Sequence, residues 1–205
     1  MKMGKVFLLD LGHGGIIDGV YQTYPKKMYS FESGEVAYEG VLNREIGKRV
    51  IHKLDAYGFK CINICPTEVD VPLGVRADVV NRYCEEYGTD ECLLISLHSN
   101  SGKGTGFEIW TSPGQTKSDR YAELFYDTFK SMFPDVRLRS DTSDGDHDKE
   151  SAFYILQETN CPAILPEFLF FDNWQDFQLL KSPVFQNRYA DMILEFVKRA
   201  EITVV

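Results

Sequence analysis

Two histidines and two glutamates stand where side chains could activate water. His13 follows a short apolar run in Leu9-Asp-Leu-Gly-His-Gly-Gly15, and His98 ends another in Ser96-Leu-His-Ser-Asn100. Glu167 closes a third in Pro162-Ala-Ile-Leu-Pro-Glu167, and Glu39 precedes a helical pattern in Glu39-Gly-Val-Leu-Asn43. Two His and one carboxylate are the protein ligands of many hydrolytic zinc sites, with a fourth position left to water. A further carboxylate nearby can act as general base on that water. Taken singly, the residues have plainer readings. His13 could cap the backbone or bond within the core, and a solvated carboxylate at a helix start is favoured by the helix dipole. Glu167 is harder to dismiss, because a carboxylate closing an apolar strand is paired, metal-bound or catalytic. The chain has only four His, and two of them fall directly after apolar strands. That coincidence favours reading the four residues as one group.

The elements that must position this group follow from periodicity. Residues 6–10 are a buried strand entering a tight Gly-rich loop. Residues 16–38 show no period and predict a long loop, a kind that is usually functional or mobile. Apolar residues at Leu42, Ile46, Val50, Leu54 and Tyr57 predict a helix over 42–57, with Gly58 as its stop. Residues 59–64 form a second strand, and 72–87 a second helix with Pro72 at its start. Strands are expected at 92–97, with both faces covered, at 106–111 nearer an edge, and at 163–168. Helices are expected at 118–132, 151–158 (short) and 183–200. Residues 134–150 read as irregular and acidic. Strands alternating with helices predict an α/β fold of three layers, a mostly parallel sheet with helices on both faces. No linker or repeat divides the chain, so residues 1–205 read as one domain.

Composition bounds the function. Of 205 residues, 22 are Lys or Arg and 31 Asp or Glu, for a net charge of −9. An acidic balance argues against a nucleic-acid binder and against unaided attachment to anionic surfaces. The five cysteines (Cys61, Cys65, Cys84, Cys92 and Cys161) are odd in number, and no two have C-x2-C spacing. They predict free, largely buried thiols of a reducing compartment rather than a zinc site. Asp10 ends the N-terminal apolar run too early for an export signal, and no run approaches the ~20 apolar residues of a membrane span. The expectation is therefore synthesis in the cytoplasm with no membrane insertion; a secreted chain trimmed of its leader would read the same.

The motifs together resemble zinc-dependent N-acetylmuramoyl-L-alanine amidases of the cell-wall type, which have a phosphorylase/hydrolase-like α/β fold. Leu9-Asp-Leu-Gly-His-Gly-Gly15 resembles their Asp-Pro-Gly-His-Gly-Gly opening, and Glu39-Gly-Val-Leu-Asn43 their Glu-x-x-Leu-Asn. Leu73-Gly-Val-Arg-Ala-Asp-Val-Val-Asn81 is similar to a Leu-x-x-Arg…Asn helix, and Ser96-Leu-His-Ser-Asn100 to Ser-(Ile/Leu)-His-Ala-Asn. Gly104-Thr-Gly-Phe-Glu108 matches the following strand. Phe153-Tyr-Ile-Leu and Pro162-Ala-Ile-Leu-Pro-Glu167 match the strand region of the catalytic glutamate. Three positions depart from the pattern: Leu11 replaces Pro, Pro166 stands where Val is common, and Leu169 where Gly is frequent. They touch substrate fit more than the metal set. A proline at 166 lacks a backbone donor and suits an edge or a strand end.

The resemblance implies that His13, Glu39 and His98 hold Zn²⁺ and that Glu167 is the catalytic carboxylate. It implies hydrolysis of the amide between the lactyl group of N-acetylmuramic acid and L-alanine, with the peptidoglycan stem peptide and glycan strand as partners. The missing leader and missing wall-binding repeat suit a phage or prophage lysin, with a secreted autolysin as the variant. Two other readings stay open: a zinc peptidase or carboxypeptidase-like amide hydrolase on a soluble substrate, and a wall-binding module that keeps fold and metal without turnover. Oligomeric state is not legible. The acidic run Asp141, Asp144, Asp146, His147, Asp148 lacks EF-hand spacing and its terminal Glu, so it reads as a solvated loop flanking the groove. Lys26 and Lys27 are candidates to touch glycan or peptide.

Overall fold

The computed structural model describes residues 4–24 and 26–203. Its centre is β1 (Val6–Leu11), buried along its whole length. Alternate residues of this strand serve opposite layers, as strand geometry requires. Phe7 and Leu9 join the larger apolar cluster, Val6 and Leu8 the smaller one. Two hairpins follow, β2 (Ile16–Ile17) with β3 (Val20–Tyr21) and β4 (Met28–Ser30) with β5 (Val36–Tyr38). The stretch expected to be one long loop thus contains two short hairpins. Strands of two or three residues are too short to display alternation, but Asp18-Gly19, with φ of 49° and 78°, supplies the two positive angles of a tight hairpin turn.

The remaining elements alternate: α1 (Glu39–Ala56), β6 (Lys60–Asn63), α2 (Leu73–Tyr87), β7 (Cys92–Asn100), β8 (Phe107–Thr111), α3 (Lys117–Met132), β9 (Lys149–Glu150), α4 (Tyr154–Gln157), β10 (Ala163–Phe170), α5 (Trp174–Leu180) and α6 (Pro183–Ile202). The main sheet runs β6-β1-β7-β10-β8-β9. Its first four strands are parallel, β8 lies antiparallel to β10, and β9 pairs parallel with β8 at the edge. One face carries α1, α3 and α6 through Ile46, Val50, Phe125, Phe129, Tyr189 and Phe196. The other carries α2 and α4 through Ala77, Val80, Ile155 and Leu156. Three layers with a mostly parallel sheet are what the strand–helix alternation implied. All five cysteines are free, four of them buried and Cys61 half-buried. No helix of the described residues is long and apolar enough to cross a membrane.

The structure departs from the sequence reading at several points. β7 continues past its expected end at Leu97 through the polar residues His98–Asn100, because pairing with β10 carries the backbone on where apolar patterning stops. β10 runs on to Phe170, and its register with β7 shifts between Glu167 and Phe170. Leu169 lies in this irregularity at φ 62°, the region that favours glycine, which accounts for a Gly preference at that position. Pro166 is neither at an edge nor at a strand end; it lies inside β10, outside the positions that pair with β7, which are Ala163, Ile164, Glu167 and Phe170. Helix α5 was not anticipated. It is started by Asn173, whose side chain accepts from the backbone N–H of Gln175 and Asp176.

Candidate metal centre

The C-terminal ends of β1, β7 and β10 and the start of α1 converge, as open α/β sheets arrange their sites. His13 lies in the loop after β1 at φ 66°, a strained angle for a residue with a side chain. Glu39 is the first residue of α1, not a residue ahead of it, and is fully buried. His98 lies inside β7, and Glu167 is its register partner on β10. On the other side Glu167 faces Glu108 of β8.

Glu39 Oε1 stands 3.0 Å from His98 Nδ1 and 3.3 Å from His13 Nε2. The two imidazole rings meet edge to face, with centroids 4.9 Å apart. One ligand atom from each of the three residues lies within 4.8 Å of the others. Atoms bound at ~2.0–2.1 Å to one tetrahedral ion stand roughly 3.3 Å apart, so the spacing suits a shared cation. Three atoms of this group, His13 Nε2, Glu39 Oε2 and Glu167 Oε2, are buried without any hydrogen-bond partner. Buried polar atoms are rarely left this way, and a bound ion is one explanation for them. Nitrogen and carboxylate donors together fit Zn²⁺ better than a hard, oxygen-seeking ion.

The protonation balance follows from burial and neighbours. Burial pushes Glu39 up, but the imidazoles of His13 and His98 beside it outweigh burial and hold the carboxylate well below its usual range. Burial pulls His13 down. It also pulls on His98, yet the bond to Glu39 and the charges of Glu39, Glu167 and Asp10 leave that imidazole above its ordinary value. Glu167 is pushed up to about 8, first by burial and then by the charge of Glu39.

A second set of residues, to which the sequence reading gave no role, fixes this geometry. Asp10, 1% exposed, is the next-to-last residue of β1 and accepts from Ser96 Oγ at 2.7 Å and from Arg76 Nη1 at 2.5 Å. Arg76 is itself buried and also donates to the carbonyls of Val71, Leu11 and His13. The His13 loop is therefore held by an arginine of α2. Asn43 donates to the Gly12 carbonyl at 3.2 Å and accepts from Ser99 Oγ at 3.0 Å, linking α1 to both histidine segments. Gly12 leaves room for the His98 ring, which a Cβ there would overlap. The signals existed in the sequence, as an Asp inside an apolar strand and an Arg and an Asn at fixed places in the helical motifs. Only the contacts show what they do. The Lys27 ammonium is 3.5 Å from Glu39 Oε2, beside the trio.

Comparison with known proteins gives a consistent picture. A family model described as N-acetylmuramoyl-L-alanine amidase matches residues 7–199. The chain is 32% identical over 185 residues to the N-acetylmuramoyl-L-alanine amidase CwlM of Bacillus licheniformis, covering 89% of this chain and 63% of that one. It is 26% identical over 194 residues to the endolysin of Bacillus phage SPP1, covering 92% and 63%. Among solved structures, the N-acetylmuramoyl-L-alanine amidase of Clostridium difficile 630 superposes with a TM-score of 0.77 at 26% identity, over 96% of both chains. The chain thus spans somewhat under two thirds of the length of these two curated relatives.

Proposed function

The chain belongs to the N-acetylmuramoyl-L-alanine amidase family, and from that premise we propose that it is a zinc hydrolase of peptidoglycan. The bond cut is the amide joining the lactyl group of N-acetylmuramic acid to L-alanine. The observation that carries this reading is the trio His13, Glu39 and His98, with Glu39 fully buried and Glu167 beside it, three of whose atoms are buried and have no hydrogen-bond partner. His13, Glu39 and His98 would hold Zn²⁺, which when bound polarises the amide carbonyl and lowers the pKa of water toward about 7. Glu167 Oε2 accepts the water proton and delivers it to the departing alanine nitrogen. Burial and the charge of Glu39 push this carboxyl up to about 8, and the charge of a cation held by the neighbouring trio would bring it back toward the ionised form that accepts a proton. Asp10 and Arg76 keep the His13 loop in place, and Asn43 keeps α1 against both histidine segments. The setting we propose is that of a lysin, which the likeness to the phage SPP1 endolysin supports.

The test is to incubate purified peptidoglycan with zinc-loaded protein and identify the new ends. Free N-terminal alanine without new reducing sugar is expected. Release of a C-terminal amino acid alone would make the protein a carboxypeptidase, and retention on walls without products would make it a binding module. In the same assay Glu167→Gln should retain one zinc per chain and lose turnover by about 10²-fold or more, while His98→Ala loses both. Wild-type cleavage by Glu167→Gln would refute the assigned proton carrier.

A further inference from the structure

The acidic run that the sequence reading left to solvent is not solvated throughout. Residues 146–148 fold back against α3 and bury two carboxylate oxygens that accept from no donor group. Asp148 is 3% exposed; its Oδ2 accepts from the Thr111 hydroxyl at 2.5 Å, and its Oδ1 has no partner. Asp146 Oδ1 is likewise buried and unpartnered. The two carboxyl groups lie within hydrogen-bonding reach of each other, and Asp119, in the first turn of α3, adds a third negative charge nearby.

The cations of the neighbourhood are engaged elsewhere. Arg139 and Lys149, which bracket the run, both bond Glu108. His147 bonds Glu123 of α3 through Nδ1 at 2.8 Å and stacks on Tyr126 with centroids 4.3 Å apart. Among the described residues, no Lys, Arg or His forms an ion pair with Asp119, Asp146 or Asp148. A buried carboxylate without a counter-charge is costly, and an unexplained buried oxygen is a natural place for an ion.

We propose that Asp146 and Asp148 bind a hard divalent cation, Ca²⁺ or Mg²⁺, through these two orphaned oxygens, with water completing the shell. The donors are all oxygen, which selects hard cations over Zn²⁺, and two carboxylates plus water suffice for such ions. The Thr111 hydroxyl orients Asp148 as an outer partner orients a ligand. A cation here ties Asp146 to Asp148 and fixes the stretch that packs on α3 through His147. The 139–150 segment supplies both cations of Glu108, the residue facing Glu167 across the sheet. The ion would thus brace the backing of the catalytic site without touching it, and its binding does not depend on the amidase reading.

Calorimetric titration of the zinc-loaded protein with CaCl₂ and, separately, with MgCl₂ tests this near neutral pH. Wild type and Asp144→Asn, a change at an exposed position of the same run, should each show one saturable site. In Asp146→Asn and Asp148→Asn affinity should fall by at least about tenfold. The cation should also raise the melting temperature of wild type and leave that of Asp146→Asn unmoved. Asp146 is only half-buried, so its variant carries the comparison should Asp148→Asn fail to fold. Absence of saturable binding by either ion, or binding that Asp146→Asn leaves intact, overturns the proposal; the two carboxyl groups would then share a proton instead.

Discussion

Glu108 shows how much of this molecule's electrostatics is settled one side chain at a time. It is 5% exposed, and Arg139 Nε at 2.9 Å and Lys149 Nζ at 2.8 Å both donate to its Oε2. The amide of Asn100 donates to its Oε1 at 2.6 Å. Burial pushes the carboxyl up, but Lys149 and Arg139 outweigh it and hold the group below its ordinary 4.5. The sign of the pH effect follows. A carboxylate with a depressed folded pKa binds fewer protons than the unfolded chain, so its contribution is full above about 4.5 and is lost as pH falls through the lower folded value. Glu108→Gln should therefore cost about 1–2 kcal/mol at neutral pH and flatten the acid limb of the stability curve below that point. Urea unfolding at a series of pH values reads both effects. Parallel acid limbs in the two proteins would mean that Glu108 is not the group titrating there.

At the scale of elements, the site depends on how closely α1 approaches the loop after β1. Gly40 is the contact, since a Cβ there would overlap the backbone carbonyl of Gly14. Alanine is the better helix former by about 1 kcal/mol, so propensity alone predicts a stabilised α1 in Gly40→Ala. The contact predicts the opposite for the site. The start of α1 must move off the His13 loop and carry Glu39 with it. Zinc affinity should fall by about tenfold or more while the far-ultraviolet circular dichroism stays that of the wild type, as for other changes that misorient a metal ligand. Unchanged zinc affinity would show that the helix start yields without moving Glu39.

The same element explains what could be read in advance. Strong periodicity over 42–57 exposed the body of the helix, but its first turn has no amphipathic signature, so Glu39 looked like a residue before the helix. His13, His98 and Glu167 stood out as candidates because an imidazole or carboxylate beside an apolar strand is rare, whereas Glu39 joined them through the family resemblance. Asp10, Asn43 and Arg76 did not stand out, because a buried ion pair and a buried amide act through contacts that spacing does not display. The hairpin at Asp18-Gly19 carried a readable turn signal, lost among strands only two residues long. Asp148 was misjudged because acidic composition predicts solvent, whereas the Thr111 hydroxyl and the side of α3 draw this one residue inward.

For the whole molecule, the sheet gathers chemistry at the C-terminal ends of its interior strands while the surface charge works against the substrate we propose. The chain's net charge is −9, and cell walls are often anionic. Like charges repel over the Debye length, which shrinks from ~30 Å at 0.01 M salt to ~8 Å at 0.15 M. Approach to a polymeric wall should therefore be slow at low salt and faster as salt screens the repulsion. A small soluble muramoyl-peptide carries too little charge to feel the same field. The rate on intact walls should rise severalfold between these two ionic strengths, while the rate on the soluble substrate changes by less than about twofold. The soluble substrate separates screening from any effect of salt on the metal or on Glu167, since those would move both rates together. A rate on walls that falls with salt would overturn the argument from net charge. It would mean that a local cluster of basic side chains, not the overall balance, governs the encounter.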